Sequence, residues 1–84
     1  MLRVGPRDTS KSAEKVFGRQ ISRLRRQLGF SQEELAFRAG LHRNYVGSIE
    51  RGEKSPTLHV IRKLAKALHK PASRLIASVE KKIV

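Results

Sequence analysis

Residues 31–51 read SQEELAFRAGLHRNYVGSIER, and this stretch decides how the rest of the chain is interpreted. Ser31 is followed three residues later by Glu34, the spacing at which a serine and a glutamate can cap the start of a helix reciprocally. Gly40 is placed to end that helix, because glycine adopts the left-handed conformation without a Cβ penalty. The following helix carries apolar residues three positions apart, at Val46 and Ile49. Two short helices joined by a tight turn that contains glycine predict a helix-turn-helix.

The outward face of the second helix carries the residues of greatest functional interest. Arg43 and Asn44 stand at its N-terminal end, which enters the major groove in this motif, and Ser48 follows one turn later. Arginine can make two parallel hydrogen bonds to guanine and asparagine can make two to adenine. We therefore expect Arg43, Asn44 and Ser48 to read bases. Gly47 should allow a close approach of the backbone to DNA.

The stretch resembles the helix-turn-helix of the phage Cro and repressor superfamily, also called the xenobiotic-response-element family. The shared pattern is SQxxLAxxxGLxxxYVxxIERG, and with its flanks the resemblance covers roughly residues 16 to 77. The small size and the sequence GLHRNYVGSIERG most resemble controller proteins of restriction-modification systems. The resemblance implies a repressor, or an activator-repressor that controls its own operon.

The resemblance also implies roles for individual residues outside the base-reading set. An arginine at the position of Arg25 pairs in this family with the glutamate at the position of Glu50, which would lock helix 1 to helix 3. Gln32 lies at a helix N-terminus, where free N–H groups and the helix dipole favour a phosphate. Contacts to the DNA backbone, which fix register without reading sequence, are expected at Gln32, Arg38, His42, Tyr45, Lys54, Ser55 and Thr57.

The composition bounds the class of protein. The chain has 84 residues, enough for one domain, and no cysteine, so a disulfide framework and a thiolate metal site are excluded. No apolar run approaches the ~20 residues of a membrane helix, and the opening residues MLRVGPRDTS lack the apolar segment of a signal peptide. We expect a cytoplasmic protein.

The charge is strongly basic. Lys plus Arg is 19 and Asp plus Glu is 7, which gives a formal charge of +12 and a pI near 11.4. This pI exceeds the value of roughly 9 that is typical of nucleic-acid-binding domains. The same charge is compatible with a soluble basic surface or a ribosome-associated protein, and the helix-turn-helix favours DNA.

The N-terminal half outside the motif predicts an arm and one long helix. Residues 1–12 lack an apolar period and are expected to form a flexible basic arm that reaches DNA, or a frayed terminus. Helix 1 should run from about Ala13 to Leu28, and its apolar residues recur at Phe17, Ile21, Leu24 and Leu28. Phe37, off the apolar stripe of helix 2, is expected to be half-buried against helix 4.

The C-terminal half predicts two more helices. Helix 4 should start near Thr57 and carry the apolar residues Leu58, Ile61, Leu64, Ala65 and Leu68. Pro71 suits the first turn of helix 5 because it has no N–H to satisfy there. A stripe at Leu75, Ile76 and Val79 is expected to form a homodimer contact, with Leu68 at its edge. The alternative is that Leu75 and Ile76 close the core of the monomer. Residues 80–84 should form a loosely held tail.

The pattern thus predicts an all-α fold, a single compact five-helix domain of the lambda-repressor type over residues 13–79. We expect a sequence-specific regulator that binds double-stranded DNA as a homodimer on a near-palindromic operator, with no metal, cofactor or small-molecule ligand. A catalytic function is not expected, since the three histidines show no ligand spacing and no nucleophile or phosphate-loop motif occurs. The alternatives are an antitoxin-type regulator that also binds a protein partner, a protein-interaction adaptor, and a nonspecific RNA or DNA binder.

Overall fold

The longest element of the computed structural model is the N-terminal helix α1 (Pro6–Gln27). The structure describes the backbone of residues 6–83 and the side chains of residues 12–80. The helix begins at Pro6 and not near Ala13, because proline at the first helical position has a preset φ and no N–H that would remain unbonded. The arm expected at residues 1–12 falls in part on residues 1–5, which lie outside the described residues.

Four further helices follow α1, and residues 6–83 contain no strand. They are α2 (Gln32–Ala39), α3 (Arg43–Glu50), α4 (Leu58–Ala67) and α5 (Ala72–Ile83). The prediction of an all-α fold of five helices is confirmed. None of these helices combines the length and the apolar character that a membrane span requires, as far as residues 6–83 are concerned.

All five helices contribute to one hydrophobic core. The large side chains that are less than 2 % exposed are Ile21, Leu35, Val46, Ile49, Leu64, Leu68 and Leu75. Full burial of such a side chain contributes about 1.5–3 kcal/mol. Leu75 on α5 is therefore part of the core of the single chain, and Leu68 lies within the core and not at the edge of a dimer contact.

The turn between α2 and α3 is set by local hydrogen bonds. The Ser31 hydroxyl accepts the Glu34 backbone N–H at 3.0 Å, and the Glu34 carboxylate pairs with Arg38 at 2.6 Å, so one half of the expected reciprocal cap is present. Gly40 has φ 68° and ends α2, and the Leu41 N–H then bonds the Ala36 carbonyl at 2.8 Å. This geometry fixes the angle at which α3 leaves α2.

Three apolar residues lie on the surface, contrary to the sequence-based expectation. Phe37 is 82 % exposed, because it lies about 200° around α2 from Leu35, whose side faces the core. Leu58 is 72 % exposed, since it is the first residue of α4 and precedes the turn that packs on the core. Leu28 is 42 % exposed because α1 ends at Gln27, one residue before it.

A close approach of two backbones sets the distance between α1 and α3. A Cβ built on Gly18 of α1 would overlap the carbonyl oxygen of Ile49 and lie 2.7 Å from the carbonyl oxygen of Glu50. Any side chain larger than hydrogen would therefore push the C-terminal end of α3 away from α1. Gly18 thereby allows α3 to pack closely against α1.

Candidate nucleic-acid interface

The N-terminal end of α3 is capped by an imidazole. His42 has an extended backbone, and its Nδ1 accepts the Asn44 backbone N–H at 3.0 Å. The ring nitrogen thus takes the place of the side-chain oxygen that serine or aspartate supplies at a helix N-cap. With Nδ1 accepting, the neutral ring carries its proton on Nε2, which can donate to a phosphate.

The outward face of α3 lines an open concavity of about 520 Å³. Its lining residues are Arg25, Ser31, Gln32, Glu33, Arg43, Asn44, Gly47, Ser48 and Arg51. The three residues expected to read bases are thus brought together, and Gln32 from the start of α2 lies beside them. Backbone-contact candidates that do not line this concavity are Arg38, His42, Tyr45, Lys54, Ser55 and Thr57.

A buried network holds α1, α2 and α3 together behind the concavity. Arg25 donates from Nε and Nη2 to the Glu50 carboxylate at 2.7 and 3.1 Å, and from Nη1 to the Phe30 carbonyl at 2.8 Å. Gln32 Nε2 donates to Glu50 Oε1 at 2.9 Å. The side chains of Arg25 and Glu50 are 11 % and 6 % exposed. Charged hydrogen bonds with this little exposure fix the position of α3 and orient the Gln32 amide.

The side chains that are expected to read bases differ in the contacts that they already make within the protein. Arg43 Nη1 lies 3.9 Å from Glu33 Oε1, and the two side chains are 62 % and 78 % exposed, so this pair is weak and easily exchanged for another partner. The Ser48 hydroxyl donates to the Asn44 carbonyl at 3.0 Å, which leaves its oxygen as an acceptor. The concavity therefore presents both a cationic donor and an acceptor.

The backbone-contact candidates surround the concavity in varied environments. Arg38 pairs with Glu34 and lies 4.4 Å from the centroid of the Phe30 ring, a cation–π arrangement that occupies part of its guanidinium. Tyr45 is partly buried against the core. Thr57 caps α4, where its hydroxyl oxygen accepts the Val60 N–H at 3.2 Å, and Lys54 and Ser55 are exposed in the preceding loop.

Arg51 was missed by the sequence-based prediction. It lines the same concavity, and its Nε and Nη2 donate to the Glu53 carboxylate at 2.9 and 3.2 Å. The hydrogen bond from Arg51 lowers the pKa of Glu53 below its ordinary value, so this carboxylate is ionised at neutral pH. The spacing of residues 44, 48 and 51 on one helix face could have indicated Arg51.

The residues of the predicted dimer stripe on α5 differ in how deeply they are buried. Leu75 is fully buried within the single chain, so it has no surface left for a second copy. Ile76 and Val79 are partly buried at the edge of the core and remain partly accessible. Within the described part of the chain, no group of three or more His, Cys, Asp and Glu side chains is placed to hold a metal ion.

Comparison with protein families and curated proteins gives consistent results. A family model described as "Helix-turn-helix" matches residues 21–75. Control protein C.BamHI of Bacillus amyloliquefaciens is 43 % identical over 54 residues, which cover 63 % of this chain and 67 % of that protein. Control protein C.SmaI of Serratia marcescens is 38 % identical over 63 residues, which cover 75 % of each chain.

One solved structure resembles this chain over almost the full length of the solved protein. The restriction-modification controller protein C.AhdI from Aeromonas hydrophila superposes with a TM-score of 0.70 and 43 % identity, over 82 % of this chain and 97 % of that chain. The match extends the similarity from the motif to the arrangement of the helices around it.

Proposed function

Because this chain belongs to the helix-turn-helix family of DNA-binding transcriptional regulators, we propose that it binds a near-palindromic operator as a homodimer and regulates transcription there. The observation that carries the proposal is the concavity in which α3 presents Arg43, Asn44 and Ser48 together. The helix N-terminus is the end that meets base edges in this motif. The formal charge of +12 supplies the attraction to phosphates.

The proposal includes two copies because one reading helix discriminates too little. A bidentate contact between an arginine and guanine contributes about 1–3 kcal/mol of discrimination against a wrong base. Specific sites are usually bound about 4–10 kcal/mol more tightly than random DNA. Two half-sites roughly 34 Å apart, each occupied by one copy of α3, double the number of contacts.

The similarity to C.BamHI, C.SmaI and C.AhdI favours a controller role within a restriction-modification system. In that role the operator would lie upstream of the gene for this chain and of neighbouring genes. The direct test is selection from a randomised duplex library at physiological salt, followed by sequencing of the bound fraction. A two-fold symmetric consensus supports the proposal. Tight binding without a consensus would favour the nonspecific binder, and no binding would favour the adaptor alternative.

Replacing Arg43 should change sequence choice, whereas replacing Lys54 should not. Arg43→Ala removes a guanidinium from the concavity, and we expect it to weaken operator binding by about 1–3 kcal/mol per half-site with little loss on random DNA. Lys54→Ala removes an exposed charge outside the concavity, and it should weaken both DNAs alike and reduce the salt slope by about 1 for each phosphate that is no longer neutralised. Both are measured by titration at several salt concentrations. Equal losses on the two DNAs for Arg43→Ala would contradict its base-reading role.

Negative charges at Ile76 and Val79, the accessible part of the α5 stripe, should dissociate the proposed dimer into monomers. We expect Ile76→Asp with Val79→Asp to give a monomer in sedimentation or light scattering and to bind one half-site. Ala77→Asp places one such charge on an exposed position of α5 and serves as the control for a new carboxylate on this helix. Since Ile76 and Val79 also touch the core, the milder pair Ile76→Ala and Val79→Ala is measured in parallel. A folded double variant that stays dimeric would exclude this surface as the contact.

A further inference from the structure

The C-terminal end of α3 adds Arg51 to the arginines that line the concavity. Arg51 Nη1 lies 3.1 Å from the position that a Cβ on Gly47 would occupy. Gly47 is buried although it lines the concavity, and the side chains of Arg51 and Gln32 lie over it. The missing side chain at Gly47 therefore leaves the space that the Arg51 guanidinium occupies against α3.

Glu53 holds this guanidinium by one of its edges. The Glu53 carboxylate accepts the Nε and Nη2 hydrogen bonds of Arg51 at 2.9 and 3.2 Å, which is a two-point contact that fixes the plane of the guanidinium. The two side chains are 59 % and 56 % exposed, so the orientation comes from this paired geometry and not from burial. Arg51 thus carries a defined orientation before DNA arrives.

The donors that remain have the arrangement needed for a base edge. A guanidinium has five N–H donors in a planar fork, and Glu53 uses two of them. The outer N–H groups of Nη1 and Nη2 are left as a parallel pair. Such a pair matches the O6 and N7 acceptors of guanine in the major groove. A phosphate would be attracted less, because the adjacent carboxylate offsets the charge of the guanidinium.

We propose that Arg51 reads a guanine in each half-site and that Glu53 is the residue that positions it. This inference rests on the proposed function, since it assumes that α3 enters the major groove. Arg51 follows Asn44 by seven residues, about two helical turns, and Ser48 lies between them on the same face. The guanine read by Arg51 is therefore displaced along the operator from the bases read by Arg43 and Asn44.

The test is the library selection repeated with variants of this pair. Arg51→Gln should abolish the preference for guanine at one position per half-site, with a loss of about 5- to 150-fold in discrimination there, and leave the other positions unchanged. Arg51→Lys keeps the charge but lacks the planar fork of donors, so it should weaken the same preference with a smaller loss on random DNA. Arg62→Gln changes an exposed arginine of α4 and is the matched control for charge.

Glu53→Gln separates a positioning role from a structural one. Without the carboxylate the net charge rises by one, and binding to random DNA should become tighter. The guanine preference should become weaker at the position that depends on Arg51, since the guanidinium is no longer held. The tighter binding to random DNA follows from the charge in either case, whereas a role in folding alone predicts no loss of preference confined to this one position. Thermal unfolding of each variant shows whether the domain is intact.

The outcomes also separate this inference from the proposed function. If the wild-type chain selects no consensus, both are wrong. If it selects a symmetric consensus that Arg51→Gln and Arg51→Lys leave intact, the proposed function stands and the role of Arg51 is wrong. An equal loss on operator and random DNA for Arg51→Gln would assign Arg51 to a phosphate and would also overturn the inference.

Discussion

Replacement of Glu50 by alanine should destabilise the domain by about 3–5 kcal/mol, because it leaves the Arg25 charge largely buried without its partner. It also removes the acceptor of the Gln32 amide, so α3 loses the side-chain hydrogen bonds by which Glu50 joins it to α1 and α2. For a domain of this size the midpoint of thermal unfolding should fall by on the order of 15 °C or more. Circular dichroism during heating measures this directly.

The matched control is another glutamate that pairs with an arginine. Glu34→Ala breaks the pair with Arg38, whose side chains are 43 % and 47 % exposed, and it should cost at most about 1 kcal/mol. Replacing Arg25 and Glu50 together by methionine should cost less than Glu50→Ala alone, since no unpaired charge remains. Similar unfolding midpoints for Glu50→Ala and Glu34→Ala would show that the buried network does not lock the helices.

Gly18→Ala should be the second large effect, with a loss of about 3 kcal/mol or more, beyond the usual range for overpacking. The new methyl group would meet the backbone carbonyls of Ile49 and Glu50, and a backbone cannot move aside as a flexible side chain can. Glu50 is also held by Arg25, so α3 cannot shift without straining that pair. Equilibrium unfolding in urea gives the free-energy difference.

Gly47→Ala is the control for a glycine within a helix. A Cβ there would lie 3.1 Å from Arg51 Nη1 and 3.6 Å from Gln32 Oε1, which are both ends of flexible side chains. The gain of about 0.4–1 kcal/mol from replacing a helical glycine should therefore largely be kept. If Gly18→Ala proved as stable as Gly47→Ala, the close approach of α1 and α3 would not be the constraint that we infer.

Much of the candidate site was predictable because its determinants are local. Arg43, Asn44 and Ser48 lie within six residues of one another, and helical spacing alone places them on one side of α3. Whether they read bases remains a prediction. The partnership of Arg25 with Glu50 joins residues 25 positions apart, and it was expected from the family resemblance and not from spacing.

Three apolar residues were misassigned for one reason. Phe37 and Leu58 have apolar side chains, and periodicity cannot say whether another helix lies opposite them, so both were assigned to packed positions and both are exposed. Leu75 belongs to a stripe that suits a dimer or a core equally well, and the packing of α5 on the other helices decides for the core. The contacts of an apolar residue depend on elements distant in sequence.

The amino-acid sequence by itself determined the five-helix class, the helix-turn-helix, the ends of α2 and the residues on the outward face of α3, because caps, glycine stops and helical faces depend on neighbours within about four residues. Only the three-dimensional structure shows which apolar side chains are buried, that Gly18 must be small, and that Arg51 is held over Gly47 by Glu53. The burial and the close approach at Gly18 arise where helices meet, and the place of Arg51 follows from how the chain turns as it leaves α3. Side-chain spacing within one helix does not specify how that helix packs against others, or which path the chain takes after the helix ends.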